Sequence, residues 1–145
     1  MHGRVNKLGV PSFVFSREEF IAGVPILEKL AEYDVCLIVL AGFMNKISDV
    51  ILQAFPGKIV NIHPALLPKY GGKGMYGMHV HEAVVKAGER ESGITIHYIN
   101  EHYDEGAIIF QASCPVLPSD TPEEVASKVH ALEYAHYPHV IESLL

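Results

Sequence analysis

Seven residues, Val35-Cys36-Leu37-Ile38-Val39-Leu40-Ala41, constrain this chain more than any others, because they run apolar without a polar break. The run does not alternate, so it does not read as a strand with one wet face. A β-branched and Leu-rich stretch of this length reads as a strand buried on both faces. Ser48 then stands where a cap is needed for a short helix, Asp49 to Phe55, which Pro56-Gly57 stops. Lys58-Ile59-Val60-Asn61-Ile62 returns as a second strand. Strand, short helix, strand is a βαβ unit, and its two strands are expected to be parallel. The expected fold class is therefore α/β, an open, mainly parallel sheet flanked by helices.

The rest of the chain supports that class. Val10 to Phe15 is a short apolar run that reads as a strand, with Pro11 at its start or edge. Ser16-Arg17-Glu18-Glu19 is a capping box, opening a helix in which Gly23 and Pro25 predict a break. Pro64 to Met78 is a loop rich in Pro and Gly, and its Gly71-Gly72-Lys73-Gly74 core reads as a flap because it lacks phosphate-loop spacing. A helix is predicted from about His79 to Ala87, with Gly88 as its cap. Ile94 to Ile99 and Ala107 to Gln111 read as strands flanking an acidic turn, Glu101 to Gly106. Thr121-Pro122-Glu123-Glu124 opens a last helix, which Tyr137-Pro138 is expected to kink or end.

Composition narrows the partners. The formal charge is −6, from 11 basic and 17 acidic residues, and no basic run occurs. A nucleic-acid backbone needs clustered Lys and Arg, so a small molecule or a protein is the expected partner. The longest apolar run falls well short of the ~18 residues of a membrane span, and the first residues lack a signal-peptide core. Cys36 and Cys114 lie far apart in apolar stretches and read as buried free thiols, which suits a reducing cytoplasm. Nine histidines raise the question of a metal. Zinc needs three or four convergent ligands, and His79 and His81 have no Cys pair or acidic set beside them, so no metal is expected.

Asn61-Ile62-His63-Pro64 is where chemistry is expected. The residues sit where a parallel strand ends, and open α/β sheets bind ligands beyond such ends. Alternation points Asn61 and His63 the same way, placing an amide donor beside an imidazole. That pair suits acyl transfer: the amide holds an oxyanion, and the imidazole moves a proton or, when charged, stabilises the tetrahedral intermediate. A strand end whose polar residues only satisfy loop backbone would look the same. Asp104 in the acidic turn would raise the pKa of a neighbouring imidazole and fix its tautomer, but its pairing with His63 cannot be read from spacing. No Ser nucleophile elbow is present and neither Cys has a base beside it, which argues against a covalent intermediate.

These residues resemble the folate-dependent formyltransferases. The resemblance is carried by Val39-Leu40-Ala41-Gly42-Phe43-Met44, by Asn61-Ile62-His63-Pro64-Ala65-Leu66-Leu67-Pro68-Lys69-Tyr70 and by Gly93-Ile94-Thr95-Ile96-His97-Tyr98. Asp104-Glu105-Gly106-Ala107-Ile108-Ile109 and the region from Glu133 through Tyr137-Pro138 continue it in the same order. It implies transfer of a formyl group from formyl-tetrahydrofolate, as co-substrate and without a metal, to the amine of glycinamide ribonucleotide in purine biosynthesis. It further implies that Asn61 and His63 stabilise the oxyanion, while Asp104 orients or protonates the imidazole. Leu40, Met44, Asn45, Ile47, Asn100, Glu101 and Tyr103 would line the folate pocket. Pro64 and Glu133 would meet the ribonucleotide, Glu133 through a sugar hydroxyl.

The chain departs from the family pattern in places. Asn45 stands where a basic residue is expected, and Gly71 to Gly77 reads as an insertion. The family's opening strand and Gly-Ser-Asn phosphate-binding turn are not in the sequence. The expectation is a single domain over 1–145, truncated at both ends, with an incomplete Rossmann-type sheet that a second copy or a complementing chain would cover. A cytoplasmic location is expected. Two alternatives stand beside transfer: hydrolysis of formyl-tetrahydrofolate by the same three residues, and a catalytically silent folate-binding remnant. A tRNA-formylating relative would need a basic domain, which this acidic chain does not have.

Overall fold

The computed structural model describes residues 8–42, 46–100 and 106–145. They form two compact units, one of residues 8–35 and 47–54, the other of residues 36–42, 46, 55–100 and 106–145.

The first unit is helical. Ser16 opens α1 (Arg17–Ala22) with both halves of a capping box: its hydroxyl accepts from the Glu19 N–H, and Glu19 accepts from the Ser16 N–H. Gly23 ends α1 in the left-handed region (φ 79°) and starts α2 (Val24–Glu32). A side chain at Gly23 would run into Ser48, just before α3 (Asp49–Ala54), so the predicted break is enforced by space as well as by Pro25. Ser48 caps α3 with its backbone carbonyl, and its hydroxyl is buried without a partner among the described residues. Residues 10–15, expected as a strand, have no regular structure. Pro11 removes one donor, no strand among the described residues pairs with them, and Val14 is 76% exposed, so little burial offsets the entropy of ordering a strand there.

The second unit holds a four-stranded sheet in the order β1 (Ile38–Leu40), β2 (Ile59–His63), β3 (Glu91–Tyr98), β4 (Ile108–Pro115). The expected α/β class, an open sheet with flanking helices, is what the structure shows, and β1 and β2 are parallel. The expectation of a mainly parallel sheet needs correction. β2 with β3 and β3 with β4 are antiparallel, so the sheet is mixed. The connection from β3 to β4 is too short for the crossover that a parallel pair requires. β1 is shorter than its apolar run and not buried on both faces: Val39 is 38% exposed, and only β2 pairs with β1 among the described residues. Cys36 is exposed rather than buried, Cys114 half-buried, and both are free thiols.

Two helices cover the sheet within this unit. α4 (Met78–Lys86) ends as predicted at Gly88, where the Gly88 N–H donates to Val85 and the Glu89 N–H to Val84. α5 (Pro122–Leu144) is capped by the Thr121 hydroxyl, which accepts from the Glu124 N–H. It runs through Pro138 instead of ending there. The carbonyl that Pro138 leaves without its helical donor belongs to Tyr134, whose residue is 78% exposed and open to water. Val84 of α4, with Val125, Val129 and Tyr137 of α5, closes over Ile62, Ile94 and Ile96 to form the core.

Candidate active site

Every residue of β2 is buried, and its alternation divides the strand between two environments. Val60 and Ile62 point one way, and Ile62 enters the core under α4 and α5. Asn61 and His63 point the other way. Register adds two partners from β3: His97 stands opposite Asn61, and Thr95 opposite His63. The four side chains make a buried polar row, with Asn61 and His63 at 8% and 4% exposure and Thr95 and His97 at 0%. Leu40, at the end of β1, lies opposite Asn61 on its other side.

Hydrogen bonds orient this row. The Asn61 amide donates from Nδ2 to His97 Nε2 at 3.5 Å, and His97 Nδ1 donates to the Tyr98 carbonyl at 3.1 Å. Those roles require a neutral His97 with its proton on Nδ1. Asn61 Oδ1 is buried with no partner among the described residues. An orphaned buried acceptor costs about 1–3 kcal/mol, which is unusual in a satisfied core and ordinary in a site awaiting a donor. His63 Nε2 donates to the Tyr70 carbonyl at 2.6 Å. A carbonyl only accepts, so Nε2 carries a hydrogen in either charge state, and the neutral ring has its lone pair on Nδ1.

The supporting groups are mostly aromatic. Tyr70 adopts φ 58°, uncommon for a residue with a side chain, and its hydroxyl donates to Glu89 at 2.9 Å, where Lys69 also sits at 3.5 Å. Burial, then the hydrogen bond and charge of Glu89, push the Tyr70 phenol above its ordinary pKa. His81 on α4 is buried, 6.5 Å from the His130 ring of α5 by centroids. Its pKa is lowered by burial first, then by the charges of His130 and His63, so the ring stays neutral. Tyr137 donates its hydroxyl to the Leu40 carbonyl at 2.6 Å and satisfies the end of β1 beside Asn61. Burial and the Glu133 charge raise the Tyr137 pKa far above the usual phenol value.

Of the residues that the sequence singled out, the structure brings Leu40, Asn61, His63 and Pro64 together at the β1–β2 end. Glu133 lies on α5 one turn before Tyr137 and is half-buried. Asn100 is exposed just after β3, and Ile47 is buried in the helical unit. Met44, Asn45, Glu101, Tyr103 and Asp104 lie outside the described residues. The sequence did not single out Thr95, Tyr70, His81 or His97 as site residues, and the structure places all four around Asn61 and His63. Thr95 and His97 leave a local signal, two polar residues spaced two apart inside an isoleucine strand. Among the described residues no three His, Cys, Asp or Glu side chains converge as a metal would require. No helix there is long and apolar enough to cross a membrane.

The family model described as formyl transferase matches residues 2–141. The chain belongs to the formyl transferase family. It is 42% identical to the chloroplastic phosphoribosylglycinamide formyltransferase of Arabidopsis thaliana over 141 residues, 94% of this chain and 48% of that protein. It is 39% identical to the phosphoribosylglycinamide formyltransferase of Haemophilus influenzae over 143 residues, 96% of this chain and 65% of that one. This formyl transferase chain thus spans about half to two thirds of the length of these curated relatives. The solved structure of phosphoribosylglycinamide formyltransferase from Streptococcus pneumoniae TIGR4 superposes with a TM-score of 0.88 at 36% identity, covering 98% of this chain and 78% of that one.

Proposed function

We propose that this chain transfers a formyl group from formyl-tetrahydrofolate to the amine of glycinamide ribonucleotide, a step of purine biosynthesis, with Asn61, His63 and Asp104 as catalytic residues. One observation carries this reading: in a formyl transferase family chain, an amide and an imidazole lie side by side, buried, at the end of a strand otherwise made of Ile and Val.

The amine nitrogen attacks the formyl carbon, a C–N bond forms, and the carbonyl oxygen takes the negative charge. The C–N bond to folate then breaks, and the proton lost by the amine ends on the folate nitrogen. Asn61 has two hydrogens on Nδ2; one is directed at His97, and the other is free to meet the oxyanion. Its unpartnered Oδ1 suits an N–H of the incoming amine. The His63 imidazolium keeps Nε2–H on the Tyr70 carbonyl and offers Nδ1–H to the developing charge. Asp104 orients that ring or protonates it. In a water-poor site each oxyanion donor is worth about 3–4 kcal/mol of barrier. On this reading, folate contact is assigned to Leu40, Met44, Asn45, Asn100, Glu101 and Tyr103, and ribonucleotide contact to Pro64 and Glu133. The reading carries with it small-molecule substrates and a cytoplasmic site of action.

The test is consumption of formyl-tetrahydrofolate with and without glycinamide ribonucleotide, followed by folate absorbance. Loss that depends on the ribonucleotide and vanishes in His63→Asn is the expected result. Formate release without the ribonucleotide would replace transfer by hydrolysis, and folate binding without turnover would replace it by a binding role.

A further inference from the structure

The polar row continues past His63 onto two more strands. Thr95 stands opposite His63, and Gln111 of β4 stands opposite Thr95, so three strands contribute to one line across the sheet. The fully buried Thr95 hydroxyl donates to the Ala65 carbonyl at 2.7 Å. It accepts from the Leu67 N–H at 3.0 Å and from Gln111 Nε2 at 2.9 Å. Gln111 Nε2 gives its other hydrogen to the Leu67 carbonyl at 3.0 Å. A hydroxyl has one hydrogen and two lone pairs, and a carboxamide nitrogen has two hydrogens; all of them are used. Such closure makes a network stiff.

The bonds fall on residues 65 and 67, between His63 and the Tyr70 carbonyl that holds its Nε2. This stretch is neither helix nor strand, so its peptide groups have no ladder to join, and side chains must satisfy them. We propose that Thr95 and Gln111 are positioning residues for His63: they set the path of residues 65–67, and through it the Tyr70 carbonyl that holds the imidazole in one orientation and one tautomer. The catalytic part of this proposal rests on His63 acting in formyl transfer; the positioning part does not.

Thr95→Val keeps the shape and removes the hydroxyl, Thr95→Ser keeps the hydroxyl, and Gln111→Leu removes the amide at an exposed position. In the full chain, kcat for formyl transfer should fall about 10- to 100-fold in Thr95→Val and Gln111→Leu, with KM for formyl-tetrahydrofolate within about twofold. Thr95→Ser should stay near wild type. Nitrogen NMR of the His63 ring should show hydrogen on Nε2 in the wild type and a mixture of tautomers in Thr95→Val and Gln111→Leu. Equal losses in Thr95→Val and Thr95→Ser, unchanged kcat in folded variants, or an unchanged His63 spectrum would each overturn the proposal. If Thr95→Val does not fold, Gln111→Leu decides alone. If the wild type transfers no formyl group, the reaction assignment fails, and the His63 spectrum still decides the positioning.

Discussion

On one face of β2 and β3, Ile62, Ile94 and Ile96 pack against Val84, Val125 and Val129 of the covering helices. On the other, Asn61, His63, Thr95 and His97 meet one another and the loop that follows β2. Both faces are buried, so burial does not tell them apart. The apolar face asks only for volume and gains free energy for each Å² removed from water. The polar face asks for a direction at every donor and acceptor, and it leaves Asn61 Oδ1 unpaired, which costs stability. A fold retains such a face when the groups on it act on something else. Stability should therefore reside on one side of these strands and turnover on the other.

The sharpest way to break that division is His63→Asn. Its turnover should fall about 10²- to 10⁴-fold in the formyl-transfer assay, while its melting temperature stays within a few degrees of wild type. Collapse of the fold in this variant would put stability on the polar face and end the division. Ile96→Ala should do the reverse. Urea unfolding should show a loss of about 2–5 kcal/mol, with kcat per folded molecule unchanged.

Tyr137 sharpens the division, because its ring lies in the apolar cluster and its hydroxyl serves the strand end beside Asn61. Tyr137→Phe should cost about 1–3 kcal/mol by leaving the Leu40 carbonyl without its donor, again measured by urea unfolding. The smallest effect expected is a pH dependence from His81. Its pKa is lowered from 6.5 in the fold, so the unfolded chain binds a proton there before the folded chain does. The stability due to the neutral ring is complete above that ordinary value and is lost as pH falls through the folded one. Melting curves from about pH 7.5 to about pH 5 should decline, and those of His81→Gln less steeply. Parallel curves would overturn the assignment of this pH dependence to His81.

What could be read from the residues was local. Ser16 with Glu19, Gly23 and Gly88 act on neighbours within a few positions, and all do in the structure what their chemistry implies. Asn61 and His63 share a face because the strand repeat is two, which no partner alters. The direction of β3 was not legible, since nothing in Ile94 to Tyr98 says which way it runs beside β2. Burial of Val35 to Ala41 was over-read for the same reason: an apolar run expresses a demand for partners, and β1 meets only β2 among the described residues.

The residues alone determined an α/β fold, the places where its helices start and stop, and a strand that ends with an amide and an imidazole on one side. Tertiary structure decided what those two groups face: His97 for Asn61, Thr95 and the Tyr70 carbonyl for His63. Asn61 and His97 are separated by 36 positions. Strand register over that separation is set by how the apolar face packs under its helices and by where a loop can close, and a shift of one residue would exchange the two faces. Local chemistry sets a side chain's identity and its side of the strand. Only long-range pairing sets its neighbour.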